Sequence, residues 1–132
     1  GAQYGTLSQH APVTENSSTA CDSTCVSSSY AEGKRAQETL AAGFSGCYGF
    51  DVIYTRCFAF SGAGLPVDGH FAIGNFVRDA LSREAINVES DGSAVRSYLH
   101  GADLSIWLLR LLISGAAGQA YNVGSALRRQ RP

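Results

Sequence analysis

An α/β fold built on a mainly parallel sheet is the class this sequence predicts, and three observations predict it. The run Asp51-Val52-Ile53-Tyr54-Thr55-Arg56-Cys57-Phe58 is β-branched and aromatic, as in a buried strand. Segments 71–82 and 102–113 carry apolar residues at helical spacing. Strand-like and helical runs alternate along the chain, which favours crossover connections over hairpins.

Each element has a local reason. Gly1 to Tyr4 reads as the end of a strand. Gly5 to Ser27 is rich in Ser, Thr, Asn and Pro and reads as a long loop, a length that usually serves function. Ser28 or Ser29 can cap a helix running to about Phe44, with Ala and Glu favouring it. Asp51 to Phe58 is the strand described above, and Ser61 to Gly69 is a loop bearing Gly and Pro. In the helix from Phe71 to Ser82 the apolar positions are Phe71, Ile73, Phe76, Val77, Ala80 and Leu81. Ile86 to Val88 and Val95 to Leu99 are short strands on either side of a turn at Asp91-Gly92. Ala102 to Ile113 is an apolar helix that Asp103 opens favourably at its positive end. Gly115 and Gly118 end it, and Gln119 to Val123 is a last strand leading into Gly124-Ser125. No internal repeat is present.

Composition excludes several classes. The chain has 132 residues and a formal net charge of −1, so no broad attraction to nucleic acid or to a membrane surface is expected. The longest apolar stretch, Leu104 to Ile113, is interrupted by Arg110 and is too short to span a bilayer. Gly1 to Tyr4 has neither the basic start nor the apolar run of a signal peptide. The absence of methionine points to a processed chain or a segment of a longer one. Cys21-x-x-x-Cys25 has no second Cys or His pair to complete a zinc site, so no metal is expected. The four cysteines read as thiols of a cytoplasmic protein, with a Cys21–Cys25 disulfide left open. No Gly-x-Gly-x-x-Gly fingerprint and no Gly-x-Ser-x-Gly elbow occurs; Gly62-x-Gly64 leads into Leu65-Pro66 rather than a helix.

The residues that point to chemistry are Tyr30 and Lys34, in Ser29-Tyr30-Ala31-Glu32-Gly33-Lys34. Four residues is one helical turn, so both side chains leave the same face. Lys34 is the only lysine, every other strong base being arginine. A free phenol holds its proton to about pH 10, and a neighbouring cation makes it a usable proton donor and acceptor nearer neutrality. Chance pairs of this kind are common on solvated helices, so the pair alone does not establish catalysis.

The wider pattern does more. Tyr4-Gly5, Pro12-Val13-Thr14-Glu15, Tyr30-x-x-x-Lys34, Glu38, Arg56, Gly62, Asp91-Gly92-x-x-x-Arg96, Asp103 and Tyr121-Asn122-Val123-Gly124-Ser125 occur in an order and spacing that resembles the extended short-chain dehydrogenase/reductases. More narrowly, the chain resembles their NAD-dependent nucleotide-sugar epimerase/dehydratase family over Gly1 to Ser125. The resemblance implies a partial Rossmann-like fold without the N-terminal half that carries the glycine fingerprint. It divides the chain into a catalytic and substrate-binding segment, 1–125, and a basic tail, 126–132. It implies that Tyr30 is the acid/base that exchanges a proton with a sugar hydroxyl. Lys34 would hold the nicotinamide ribose hydroxyls and favour the Tyr30 phenolate. Arg96 would bind the substrate diphosphate, a task that suits a bidentate guanidinium, and it is expected close to the loop from Ser61 to Phe71. His70, Phe71 and Asn75 are further substrate-side candidates, while Arg56, Asp103 and Asn122 are expected to be structural. The implied cofactor is NAD, with NADP the alternative, and the implied partner is a nucleotide sugar. The helix of Tyr30 would lie in a homodimer interface.

Departures from the family pattern bear on the reaction. The catalytic Ser or Thr position falls one residue before Gly1. Ala59, Ser61, Ala63 and His100 stand where the family usually has Asn, Tyr, Pro and an aromatic residue. Gly1-Ala2 stand where 4,6-dehydratases carry an Asp-Glu pair, which favours epimerase or reductase chemistry over elimination. The 132 residues alone are expected to be inactive. The alternative reading is a non-catalytic module that binds a sugar nucleotide without cofactor.

Overall fold

The computed structural model describes residues 2–5, 13–17, 21–69, 71–88, 91–92 and 96–125. Three α-helices and four strands follow one another as α1 (Ser29–Tyr48), β1 (Tyr54–Cys57), β2 (Ala59–Ser61), α2 (Ala72–Ser82), β3 (Tyr98–His100), α3 (Gly101–Ser114) and β4 (Ala120–Val123). Short 3₁₀ turns occupy Ala2–Tyr4 and Val26–Ser28.

Both strand pairings are parallel, as the alternation of elements predicts. β1 pairs with β4, Tyr54 opposite Ala120 and Cys57 opposite Val123. β2 pairs with β3, Ala59 opposite Tyr98 and Ser61 opposite His100. The run 51–58 predicted as one strand holds only β1; β2 begins just after it, at Ala59, where no strand was predicted. The break falls at Phe58, whose N–H donates to the Val123 carbonyl at 3.0 Å while its ring stacks on Tyr4 at 6.2 Å. The Ser97 hydroxyl donates to the Ser125 carbonyl, joining the approach to β3 to the end of β4.

The core is small: Leu99, Leu111 and Val123, with Ile53, Cys57, Leu104 and Tyr121 packed around them. α3 covers it from one side. The helix is capped by His100, whose Nδ1 accepts the Ala102 N–H at 3.2 Å, an addition to the expected Asp103 in its first turn. Its outer face leaves Ile106, Leu109, Leu112 and Ile113 exposed.

α1 is four residues longer than the predicted end at Phe44 and stops where Gly49 adopts a left-handed conformation (φ 73°), donating its N–H to the Ser45 carbonyl. α2 runs as predicted from the Phe71 boundary, and its Gly74 lies flat against the preceding loop. A Cβ there would stand 2.4 Å from the Pro66 carbonyl oxygen. Two predicted elements differ. Ala2–Tyr4 is a 3₁₀ turn, closed by the Gly5 N–H on the Ala2 carbonyl, because Tyr4 buries its ring against Phe58 instead of continuing an extended chain. Ile86 to Val88 is not a strand; Ile86 and Val88 are exposed and have no neighbouring strand to pair with among the described residues. Position 95 and the tail 126–132 lie outside the described residues.

Candidate active site

α1 begins at Ser28, its N-cap, which receives the chain from the 3₁₀ turn Val26–Ser28 without a side-chain capping bond. Tyr30 and Lys34 therefore fall in the first two turns of one continuous helix, as predicted. The Lys34 Nζ lies 5.6 Å from the centre of the Tyr30 ring, within range of a cation–π contact. It also donates to the Gln37 Oε1 at 3.3 Å.

Tyr30 is 67% exposed and forms part of the wall of an open cleft of about 460 Å³. Gly5, Cys21, Cys25, Ser28 and Ala31 share that wall. Lys34 is not part of that wall; it stands beside the Tyr30 ring. Ala2 also lines the cleft. Asp22 is the one carboxylate on the cleft wall among the described residues. It is engaged by Thr24, through N–H at 2.9 Å and Oγ1 at 2.6 Å, and these bonds hold its carboxyl below the usual range.

A polar network fixes α1 over the sheet. The Arg56 guanidinium on β1 grips Glu38, one turn beyond Lys34, with Nε at 2.9 Å from Oε1 and Nη2 at 2.7 Å from Oε2. Arg56 Nη1 donates to the Tyr4 hydroxyl at 2.9 Å and to the Glu15 carbonyl at 2.8 Å. Tyr4 donates in turn to Asn122 Oδ1 on β4 at 2.7 Å. The Asn122 N–H and side-chain amide hold Glu15 Oε1 and the Val13 carbonyl. The Arg56 bonds lower the Glu38 carboxyl below the ordinary range, and those of Glu38 raise the Arg56 guanidinium above its own. The network thus joins α1, β1, β4 and the loop at 13–17, and Arg56 and Asn122 take the structural part expected of them. A second, smaller cavity of about 190 Å³ lies over it, lined by Gln3, Tyr4, Arg35, Glu38 and Arg56 among others.

The substrate-side candidates fall in two other places. Phe71 is the exposed residue at the start of α2. Asn75, one turn on, is half-buried; with its amide nitrogen turned to the Gly69 and Val67 carbonyls, at 3.1 and 3.2 Å, it ties the loop down to the helix. His70 lies outside the described residues. Arg96 is exposed, two residues before β3 begins. It stands at the N-terminal end of β3, whereas Ser61 pairs with His100 at the other end, so the expected proximity to the Ser61 loop does not follow from the strand register. The residues that sequence reasoning left aside are those of the cleft rim, Cys21, Cys25 and Ser27; their one sequence signal was the Cys-x-x-x-Cys spacing.

A dinucleotide needs one group for its nicotinamide ribose and another for its phosphates. Tyr30 lines the open cleft with Lys34 beside its ring, and the 132 residues hold no glycine fingerprint. Residues 1–124 match the NAD dependent epimerase/dehydratase family. The chain belongs to that family. Among its relatives, UDP-glucuronic acid decarboxylase 3 of Arabidopsis thaliana is 32% identical over 100 residues, covering 76% of this chain and 29% of the relative. A dTDP-glucose 4,6-dehydratase of Xanthomonas campestris pv. campestris is 32% identical over 133 residues, covering 96% of this chain and 34% of that protein. The crystal structure of dTDP-glucose 4,6-dehydratase from Bacillus anthracis in complex with NAD superimposes with a TM-score of 0.82 at 26% identity, over 97% of this chain and 39% of that one. This epimerase/dehydratase family chain thus spans about a third of the length of the relatives it matches, and its fold is that of their Rossmann-type enzymes.

Proposed function

We propose that this chain is the acid/base and substrate-side segment of an NAD-dependent nucleotide-sugar oxidoreductase, with 1–125 as that segment and 126–132 as a basic tail. The observation that carries the reading is Tyr30, exposed on a cleft wall with the only lysine of the chain 5.6 Å from its ring. NAD, or NADP, supplies a hydride acceptor when bound. Tyr30 takes a proton from a sugar hydroxyl, or returns one, through its phenolic oxygen. Lys34 keeps positive charge beside the ring and offers ammonium donors to ribose hydroxyls. Arg96, Phe71, Asn75 and His70 are the candidates for holding the nucleotide sugar.

Epimerase or reductase chemistry is favoured over 4,6-elimination. Elimination requires a second acid and base beside the tyrosine, and the cleft offers Ala2 at the expected place and an Asp22 already bonded to Thr24. Relatives named as a decarboxylase and a 4,6-dehydratase do not carry this preference. The second reading, a sugar-nucleotide-binding module without cofactor, is favoured by the absence of a glycine fingerprint in these 132 residues.

The test is turnover. The full-length protein containing this chain, supplied with NAD and a panel of UDP- and dTDP-sugars, should interconvert or reduce one of them. The 132 residues alone should not. Binding of nucleotide sugars without any nicotinamide-dependent reaction would establish the second reading instead.

A further inference from the structure

The cleft that exposes Tyr30 also carries two thiols that the proposed reaction does not use, Cys21 and Cys25. Cys25 is exposed and Cys21 half-buried. The Cys25 Sγ lies 3.0 Å from the Ser27 hydroxyl, and that bond, with help from the Ser27 N–H, lowers the thiol below its ordinary range. The thiolate is the nucleophilic form, so an exposed cysteine in this setting is the reactive kind. The intervening chain is folded back on itself. The Cys25 N–H donates to the Asp22 carbonyl at 3.1 Å, and Thr24 donates twice to the Asp22 carboxylate. That turn presents both cysteines to one cleft, while Cys47 and Cys57 lie on α1 and β1 outside it.

We propose that Cys25 and Cys21 are the attacking and resolving thiols of a disulfide switch at the Tyr30 cleft, with low-molecular-weight disulfides such as glutathione disulfide as the oxidant. As a means of regulation it rests on the reading of that cleft as the active site. In the first step the Cys25 thiolate attacks one sulfur of the reagent. A Cys25–glutathione mixed disulfide forms and one glutathione thiolate leaves. The Cys21 thiol then loses its proton and attacks the Cys25 sulfur, forming the Cys21–Cys25 bond and expelling the second glutathione thiolate. Two protein thiols are oxidised, one reagent disulfide is reduced to two thiols, and the protons pass to them. The closed disulfide braces the turn at residues 22–25 across the cleft wall and restricts access to Tyr30.

The 132-residue chain, incubated with glutathione disulfide near neutral pH, alkylated and mapped by peptide mass spectrometry, tests the chemistry. Cys21 and Cys25 should be joined to each other before Cys47 and Cys57 lose their alkylation. Cys25→Ser should abolish the reaction of this pair. Cys21→Ser should stop it at one glutathione on Cys25, and Ser27→Ala should slow the first step. Earlier reaction at Cys47, or a mixed disulfide at Cys25 that persists with Cys21 intact, would overturn the proposal. In the full-length protein, oxidation should abolish nucleotide-sugar turnover and dithiothreitol should restore it; full turnover with the disulfide closed would remove the switch. A full-length protein that closes the disulfide but never turns over a nucleotide sugar would refute the active-site reading and the regulation with it, leaving the thiol chemistry in place.

Discussion

Arg56 and Glu38 face each other through two charge-assisted hydrogen bonds, and this pair ties the helix of Tyr30 and Lys34 to the parallel strands. Glu38 lies one turn beyond Lys34 and two beyond Tyr30, on the same side of α1. The anchor that holds the helix is therefore in line with the residues assigned to chemistry. Both partners are largely shielded from water, with side chains 16% and 27% exposed, so the pair is worth more than an ordinary surface ion pair.

Removing the anchor should loosen the fold. Arg56→Ala takes two hydrogen bonds from Glu38, leaving it the Gln3 amide, and removes the Arg56 bonds to the Tyr4 hydroxyl and the Glu15 carbonyl. A loss of about 1.5–3 kcal/mol is expected, the range for hydrogen bonds to charged groups. Urea unfolding measures it, and a change under about 0.5 kcal/mol would show that the network contributes little.

The same pair sets an acid limit. The Glu38 carboxyl is held below its ordinary value by Arg56, and that of Glu15 chiefly by the Asn122 N–H. The unfolded chain therefore takes up protons on these groups before the folded chain does. Their stabilisation is complete above the unfolded value of about 4.3 and is lost as pH falls from there through the lower folded values. The urea midpoint should fall over that window, and less steeply in Glu38→Gln. An equal slope in the variant would assign the acid sensitivity to other groups.

Much of this arrangement was legible in the sequence, for physical reasons that differ by element. α2 and α3 declare themselves by apolar residues at helical spacing, and the α1 start by its serines. The parallel direction of both pairings follows from the helices between the strands, whereas which strands pair does not. β2 was not legible, because it is a short segment just after the 51–58 run whose pairing depends on a distant strand, β3. Nor was the 3₁₀ turn at Ala2–Tyr4, since its cause is the burial of Tyr4 on Phe58, a partner far along the chain. Tyr30 and Lys34 were legible because one helical turn relates them. The cleft rim at Cys21 and Cys25 was not, since a loop brings it there.

Gly74 should tolerate no side chain. A Cβ at this position would stand 2.4 Å from the Pro66 carbonyl oxygen, a backbone atom that cannot swing away. Gly74→Ala should cost about 1–3 kcal/mol, the usual range for overpacking. An unchanged thermal midpoint would mean that the loop at 61–69 moves freely off α2.

Arg96 is proposed to bind the substrate diphosphate. In the full-length protein Arg96→Ala should weaken nucleotide-sugar binding by about 1.5–3 kcal/mol with the fold intact. Calorimetry with the product nucleotide sugar reads this directly. Unchanged affinity would return Arg96 to the surface near the start of β3.

The most direct test of the central claim is the turnover number of Tyr30→Phe in the full-length protein, measured beside Lys34→Ala. The substitution removes one oxygen and keeps the ring under Lys34. Turnover should fall by about 10²–10⁴, the contribution of a positioned acid/base, with the far-ultraviolet circular dichroism unchanged. Lys34→Ala should also lower turnover, since it removes the ammonium donor proposed for the ribose hydroxyls. Full turnover by Tyr30→Phe would contradict the account.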